Sequence, residues 1–365
     1  MIFRLVLCGC LLSAPALFAQ SPSAAFQRLD RNRDGQLTRD EVPDKRLFAR
    51  IDKDQDGIIT AAEDIAFMAA RRKAPGNNVP DSWVAHRDLA YADNQNPRQC
   101  LDLYLPKVRP SQKPLPVVVY IHGGGWRNGR KDGGLRWVRP YVESGQYAGV
   151  SIGYRLSGEA KWPAQIHDCK AAIRWLKGNA KKYRLDPDKI GVIGTSAGGH
   201  LTAMLAVTGK GEELAGELGK HLQEESRIAC AVDFYGPTEM LTMNDHPSRI
   251  DHDAEDSPES LLIGGAIQKH PQKAKHASPI SYITADDRNL LIVHGEDDQL
   301  VPHPQSTAFY QALQKVGAAP LMITIQGGGH GGFNSRELDA RVRRFFDLHL
   351  RGVEAKISEE TIIRP

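Results

Sequence analysis

The sequence predicts an α/β fold: a mostly parallel sheet with helices on both faces, preceded by a small all-α unit. Short apolar, β-branched runs at 117–121, 189–193 and 290–294 read as buried strands. Helical patterns at 163–183, 304–316 and 337–350 alternate with them, which places helices over both sheet faces. Ahead of these, residues 26–41 and 48–63 repeat each other, so a separate small unit opens the chain.

At 365 residues with a net charge of +3, the chain holds one large and one small domain and is nearly balanced. No basic run is interleaved with aromatics, so nucleic acid is not an expected partner. Residues 1–20 carry Arg4, an apolar centre and Ala16-Leu17-Phe18-Ala19, the pattern of a secretory signal peptide too short to span a membrane. The expected location is secreted or periplasmic, with cleavage after Ala19. Lipoprotein processing at Cys10 is the second choice, because the apolar run before it is short. No membrane contact beyond this segment is expected. Cys100, Cys169 and Cys230 then remain, an odd number, so at least one thiol stays free; each reads as a core residue.

The repeat at 22–72 follows D-x-[DN]-x-D-G-x5-E twice, the loop of an EF-hand. Asp30, Asn32, Asp34 and Glu41 supply the first set of hard oxygen ligands, with the Gln36 carbonyl. Asp52, Asp54, Asp56 and Glu63 supply the second, with the Ile58 carbonyl. Thr38 and Thr60 stand where the ligand is often water, and Leu37 and Ile59 can pair across the loops. The spacing leaves room for only a short shared helix around 43–51. Calcium is the expected ion, in a structural or docking role rather than as a switch. This segment resembles the compact EF-hand pairs of secreted bacterial enzymes. Residues 73–82 read as a linker by their Pro, Gly and Asn content.

The large domain is expected over 83–352, with a tail at 353–365. Two strands at 84–91 and 100–105 flank a polar turn, and Leu101, Leu103 and Leu105 alternate with polar positions. Further strands are expected at 148–154, 228–234 and 321–325. The strand at 189–193 runs into Gly194-Thr195-Ser196-Ala197-Gly198, and a helix follows at 199–206. A G-x-S-x-G at a strand-to-helix turn exposes the Ser196 hydroxyl as a candidate nucleophile. His122-Gly123-Gly124-Gly125-Trp126 follows the strand at 117–121. The backbone N–H groups of Gly124, Gly125 and Ala197 are candidates to hold a developing oxyanion. His122 reads equally as a support for that loop or as a participant. Asp298 follows the strand at 290–294, with Asp297 as fallback, and His330 lies in a Gly-rich turn after 321–325. Ser196, Asp298 and His330 stand in the chain order that places a nucleophile, an orienting acid and a base.

With these motifs, the domain resembles the α/β-hydrolase family of carboxylesterases with an HGGG oxyanion loop. It is similar to secreted bacterial esterases of the ferulic-acid-esterase and acetyl-esterase type through Leu103-Tyr104-Leu105-Pro106, HGGGW, GTSAGGHL and HGEDDQLVP. The resemblance implies an eight-stranded sheet with only its second strand antiparallel, and an active site needing no metal. Residues 237–285 form a long polar insertion expected over the site as a partial lid. That polarity points to small or carbohydrate-linked esters, acetyl or feruloyl, rather than lipids. Trp126, Tyr154 and Trp162 read equally as rings that stack on substrate or as core residues, and Arg127, Arg130 and Lys131 read first as a solvated turn and second as a site that meets a carboxylate or uronic acid. Asp245, His246, Asp251, His252 and Asp253 are spaced too irregularly for a metal site and read as a solvated loop. The competing readings are a serine peptidase of the prolyl-peptidase-related type and a calcium-dependent binding protein with a non-catalytic hydrolase scaffold. In either case the EF-hand pair could dock a protein partner.

Overall fold

The computed structural model describes residues 22–23, 26, 29–42, 45–72, 78–209, 214–287 and 289–364. The predicted signal segment at 1–20, with Cys8 and Cys10, lies outside them, as does part of the predicted linker. The chain divides into two compact units between Pro75 and Gly76.

In the first unit, β1 (Gln36–Thr38) and β2 (Ile58–Thr60) pair antiparallel, with Leu37 opposite Ile59. Helices α1 (Lys45–Ile51) and α2 (Ala61–Arg72) follow the two strands. Phe26, Leu37, Val42, Phe48, Ile51 and Ile59 form its small buried core.

The second unit contains β3 (Trp83–Ala90), β4 (Cys100–Pro106), β5 (Leu115–Ile121), α3 (Leu135–Glu143), β6 (Ala148–Ile152) and α4 (Ala164–Gly178). It continues with α5 (Ala180–Tyr183), β7 (Leu185–Thr195), α6 (Ala197–Val207), β8 (Cys230–Phe234), α7 (Pro258–Ile263) and α8 (Pro271–His276). It closes with β9 (Leu290–Gly295), α9 (Pro304–Lys315), β10 (Leu321–Gln326), α10 (Arg336–Arg351) and β11 (Ile362–Ile363). The strands form one sheet in the order β11-β10-β9-β8-β7-β5-β6-β4-β3, with only β4 antiparallel to its neighbours. Alternation along the strands feeds two cores. Val117, Val119 and Ile121 share a cluster with Ile166 and Ile173 of α4. Val118 and Tyr120 point the other way, into a cluster with Val138 of α3 and Phe345 and Phe346 of α10.

Three details correct the sequence reading. Among the described residues the sheet has nine strands rather than eight, because the expected tail contributes β11 parallel to β10. The Arg341 guanidinium anchors that tail by donating to the carbonyls of Ser358 and Glu360. The helix expected over 163–183 breaks at Asn179, whose side-chain amide donates to the Trp175 carbonyl and caps α4. Helix α3 escapes the pattern because Pro140 sits inside it and Gly133-Gly134 precede it. Cys100, Cys169 and Cys230 are all buried free thiols.

Phe346 is fully buried, and a methyl group at Gly191 would lie 2.7 Å from its ring. This tight fit predicts that Phe346→Ala costs about 3–5 kcal/mol, read as a lowered urea midpoint of the second unit.

Candidate active site

The turn from β7 to α6 is set by backbone crowding. Ser196 has φ 55° and ψ −123°, a conformation that L residues adopt only under constraint. A Cβ on Gly194 would lie 2.1 Å from the Gly198 carbonyl oxygen, and one on Gly198 would lie 2.2 Å from that of Ile121. Any larger residue at either position would force these backbones apart. The Ser196 N–H donates to the Phe234 carbonyl at 2.8 Å, which ties the turn to β8.

The HGGGW segment packs beside this turn. A Cβ on Gly123 would lie 3.2 Å from Ser196 Cβ, and Gly124 takes φ +117° against the Asn128 carbonyl. Among the described residues, no hydrogen bond occupies the N–H groups of Gly124, Gly125 or Ala197. His122 is buried, and its Nδ1–H donates to the Gly123 carbonyl at 2.8 Å. Burial pushes its pKa down to about 4, so it is a neutral brace for the loop.

Beyond β9 and β10, His330 Nδ1 lies 2.7 Å from Asp298 Oδ2. A carboxylate only accepts, so Nδ1 carries the proton and Nε2 is the free base of the neutral ring. Asp298 Oδ1 accepts from the N–H groups of Leu300 and Val301. Burial alone would raise the Asp298 pKa, but hydrogen bonds from His294 and His330 outweigh it and hold the carboxyl well below the usual range. Asp297 is exposed, and Asp298 is the carboxylate bonded to His330.

Ser196, Gly124, Gly125, Ala197 and His330 line one cavity of about 450 Å³. Residues to which the sequence assigned no role in the site also border it. Tyr235 packs its ring 4.6 Å from that of His330. Its place just after a predicted strand was the one available signal. From the long insertion, Ile250, His252 and Glu259 reach the same space.

The structure decides between the alternatives for the remaining candidates. Tyr154 is fully buried in the core; it stacks on His122 at 4.2 Å and donates its hydroxyl to the His122 carbonyl, so it offers no face to substrate. Trp126 borders the cavity, but its ring is 1% exposed and its Nε1–H donates to His200 Nδ1 at 3.2 Å. The Trp162 indole is likewise spent on His276. Lys131 is buried between Asp102 at 2.6 Å and Asp88 at 2.7 Å, and Arg130 pairs with Asp132, which leaves Arg127 on the cavity rim. His252 belongs to no solvated loop: it is buried 3.0 Å from Glu259 and bonds to Ser248.

In the first unit, the loop N–H groups turn the carboxylates inward. Glu63 accepts from Lys53 and Thr60, Glu41 from Arg31 and Thr38, and Asp52 from Gly57. Ligand atoms of Asp52, Asp54 and Glu63 lie within 4.8 Å of one another, and Asp52 Oδ1 is buried with no hydrogen-bond partner among the described residues. That hard-oxygen donor set fits calcium.

The BD-FAE family model matches residues 101–313, and the EF-hand model matches 23–42 and 44–63. The esterase LipC of Mycobacterium tuberculosis is 30% identical over 255 residues, covering 68% of this chain and 60% of that protein. The chain thus spans less than two thirds of that curated relative. A truncated carbohydrate esterase from gut microbiota is 33% identical with a TM-score of 0.69, over 75% of this chain and 99% of that one. A bifunctional GH43-CE protein of Bacteroides eggerthii is also 33% identical, with a TM-score of 0.66, over 74% of this chain and 38% of that one.

Beneath the site, Asp233 is fully buried; Oδ1 accepts from the Gly236 N–H, and Oδ2 has no hydrogen-bond partner among the described residues. Burial pushes its pKa up to about 7. An unfolded Asp releases its proton near about 4. Between those values the folded chain holds the extra proton, so this group's stabilising contribution falls as pH rises through 7. Asp233→Asn should therefore gain stability relative to the wild type from pH 4 to 8, measured by urea midpoints. A pH-independent difference would count against it.

Proposed function

Because the chain belongs to the BD-FAE family of α/β-hydrolase carboxylesterases, we propose that it hydrolyses carbohydrate-linked or small esters, acetyl or feruloyl, through a Ser196-His330-Asp298 triad. The observation that carries this reading is the Asp298–His330 pair, 2.7 Å apart, whose imidazole shares a cavity with the strained Ser196 turn. His330 Nε2 takes the Ser196 proton as Oγ attacks the ester carbonyl. The N–H groups of Gly124, Gly125 and Ala197 receive the oxyanion, each worth about 2.7–4 kcal/mol in comparable sites. His330 then protonates the leaving alcohol, and Asp298 stabilises the imidazolium. Water repeats the sequence on the acyl-enzyme.

The carbohydrate preference is supported by the rim. Arg127, His252 and Glu259 border the cavity, and Asp251, Asp253 and Glu255 of the insertion are polar where a lipase lid would be apolar. The 33% identical carbohydrate esterase points the same way. Calcium would be held by Asp30, Asn32, Asp34, Glu41 and the Gln36 carbonyl, and by Asp52, Asp54, Asp56, Glu63 and the Ile58 carbonyl. Bound there, it supplies positive charge that draws the acidic loops together. The amino-terminal segment supports export, which makes an extracellular or periplasmic polysaccharide a reachable substrate.

A panel of acetyl, butyryl and longer p-nitrophenyl esters, acetylated xylan and methyl ferulate tests the activity. Short-chain or feruloyl esters should turn over, and Ser196→Ala should lose about 10⁶-fold in kcat. Equal inactivity of both proteins on every ester would refute the reading. For the metal, chelation should lower the melting point of the first unit while leaving kcat within about twofold, and Glu63→Gln should weaken calcium binding at least about tenfold, or 1.4 kcal/mol. Calorimetry with and without calcium reads both effects.

A further inference from the structure

We propose that His294, at the end of β9, is a positioning residue that acts on the reaction through Asp298. The inference rests on the triad reading above and adds a fourth member behind it.

The geometry is specific. His294 Nε2 lies 3.1 Å from Asp298 Oδ2, the same oxygen that holds His330, and 2.9 Å from the Val301 carbonyl. Both neighbours are acceptors, so Nε2 carries a proton and donates. On the far side, Nδ1 meets the Ser306 hydroxyl at 2.7 Å, which fixes the ring plane. His294, Asp298 and Ser306 are all buried. Two further titratable rings pack beside it. The His303 ring lies 5.4 Å away, and burial lowers its pKa to about 4, so it is neutral. The Tyr235 ring is 6.3 Å away, and burial pushes its phenol further toward the protonated form.

Two consequences follow. The donor pins Oδ2, so the carboxylate cannot rotate away from His330. It also draws electron density from that oxygen, so Asp298 stabilises the His330 imidazolium less than an unshared carboxylate would. The donor thus sets the balance between the charged and neutral imidazole as Ser196 gives up its proton.

The test compares wild type with His294→Leu, His294→Gln and Ser306→Ala on p-nitrophenyl acetate across pH. His294→Leu removes the donor; kcat should fall about tenfold at near-constant KM. The acid limb of kcat/KM should move up by about half a pH unit or more. His294→Gln keeps an amide donor and should restore both values toward wild type. Ser306→Ala frees only the far nitrogen and should move the acid limb part of the way. If His294→Leu fails to fold, Ser306→Ala and His294→Gln decide. An unmoved acid limb in both His294→Leu and Ser306→Ala would overturn the proposal, as would equal losses in His294→Leu and His294→Gln. NMR titration of the His330 ring needs no substrate. It keeps this proposal testable if wild type hydrolyses none of the esters, a result that would instead overturn the triad reading.

Discussion

The site depends on one backbone constraint, the left-handed conformation of Ser196 between two glycines that have no room for a side chain. Such a conformation costs about 1–3 kcal/mol and persists only where the surroundings over-determine it. Here they do so from three sides. β8 accepts the Ser196 N–H, the Gly198 backbone lies against the end of β5, and α6 begins at once. The same packing that forces the serine out of the sheet brings the HGGG loop against it. The proposed nucleophile and oxyanion donors are thus products of a single local geometry.

Around that turn the protein uses histidines chiefly as neutral struts. Burial takes His122, His200 and His303 down to about 4, so none carries charge at neutral pH. His122 fixes the Gly123 carbonyl, and His200 bridges the Trp126 indole to the Ala277 carbonyl. Asp298 is the exception in charge, a buried carboxylate kept ionised by two imidazoles and two backbone N–H groups. Its four donors offset a desolvation cost that a lone carboxylate would avoid by taking up a proton.

Much of this was legible in the sequence. The strand runs, the G-x-S-x-G turn, the HGGG loop and the EF-hand ligand spacing are local patterns with local causes. Asp298 against His330 was readable because each follows a strand whose end faces the same side of the sheet. What the sequence hid was direction and partner. Trp126 and Tyr154 stand near the loop in sequence, yet their polar atoms are consumed by His200 and the His122 carbonyl. Lys131 looks like a surface cation until Asp102, on another strand, is seen to claim it. His252 finds Glu259 and His294 finds Ser306 only once the chain has closed. Arg341 does the same for the tail: its carbonyl partners lie beyond the helix, in a segment with little strand character.

That tail also covers part of a sheet edge. Without it, β10 would end the sheet with a bare row of donors and acceptors, a template for pairing with another chain. Two residues of β11 cap that row, and the Arg364 N–H closes onto the Gln326 carbonyl. A strand this short offers little to a neighbour in turn. Protection of this sheet edge is therefore vested in a segment that lines no part of the cavity around Ser196.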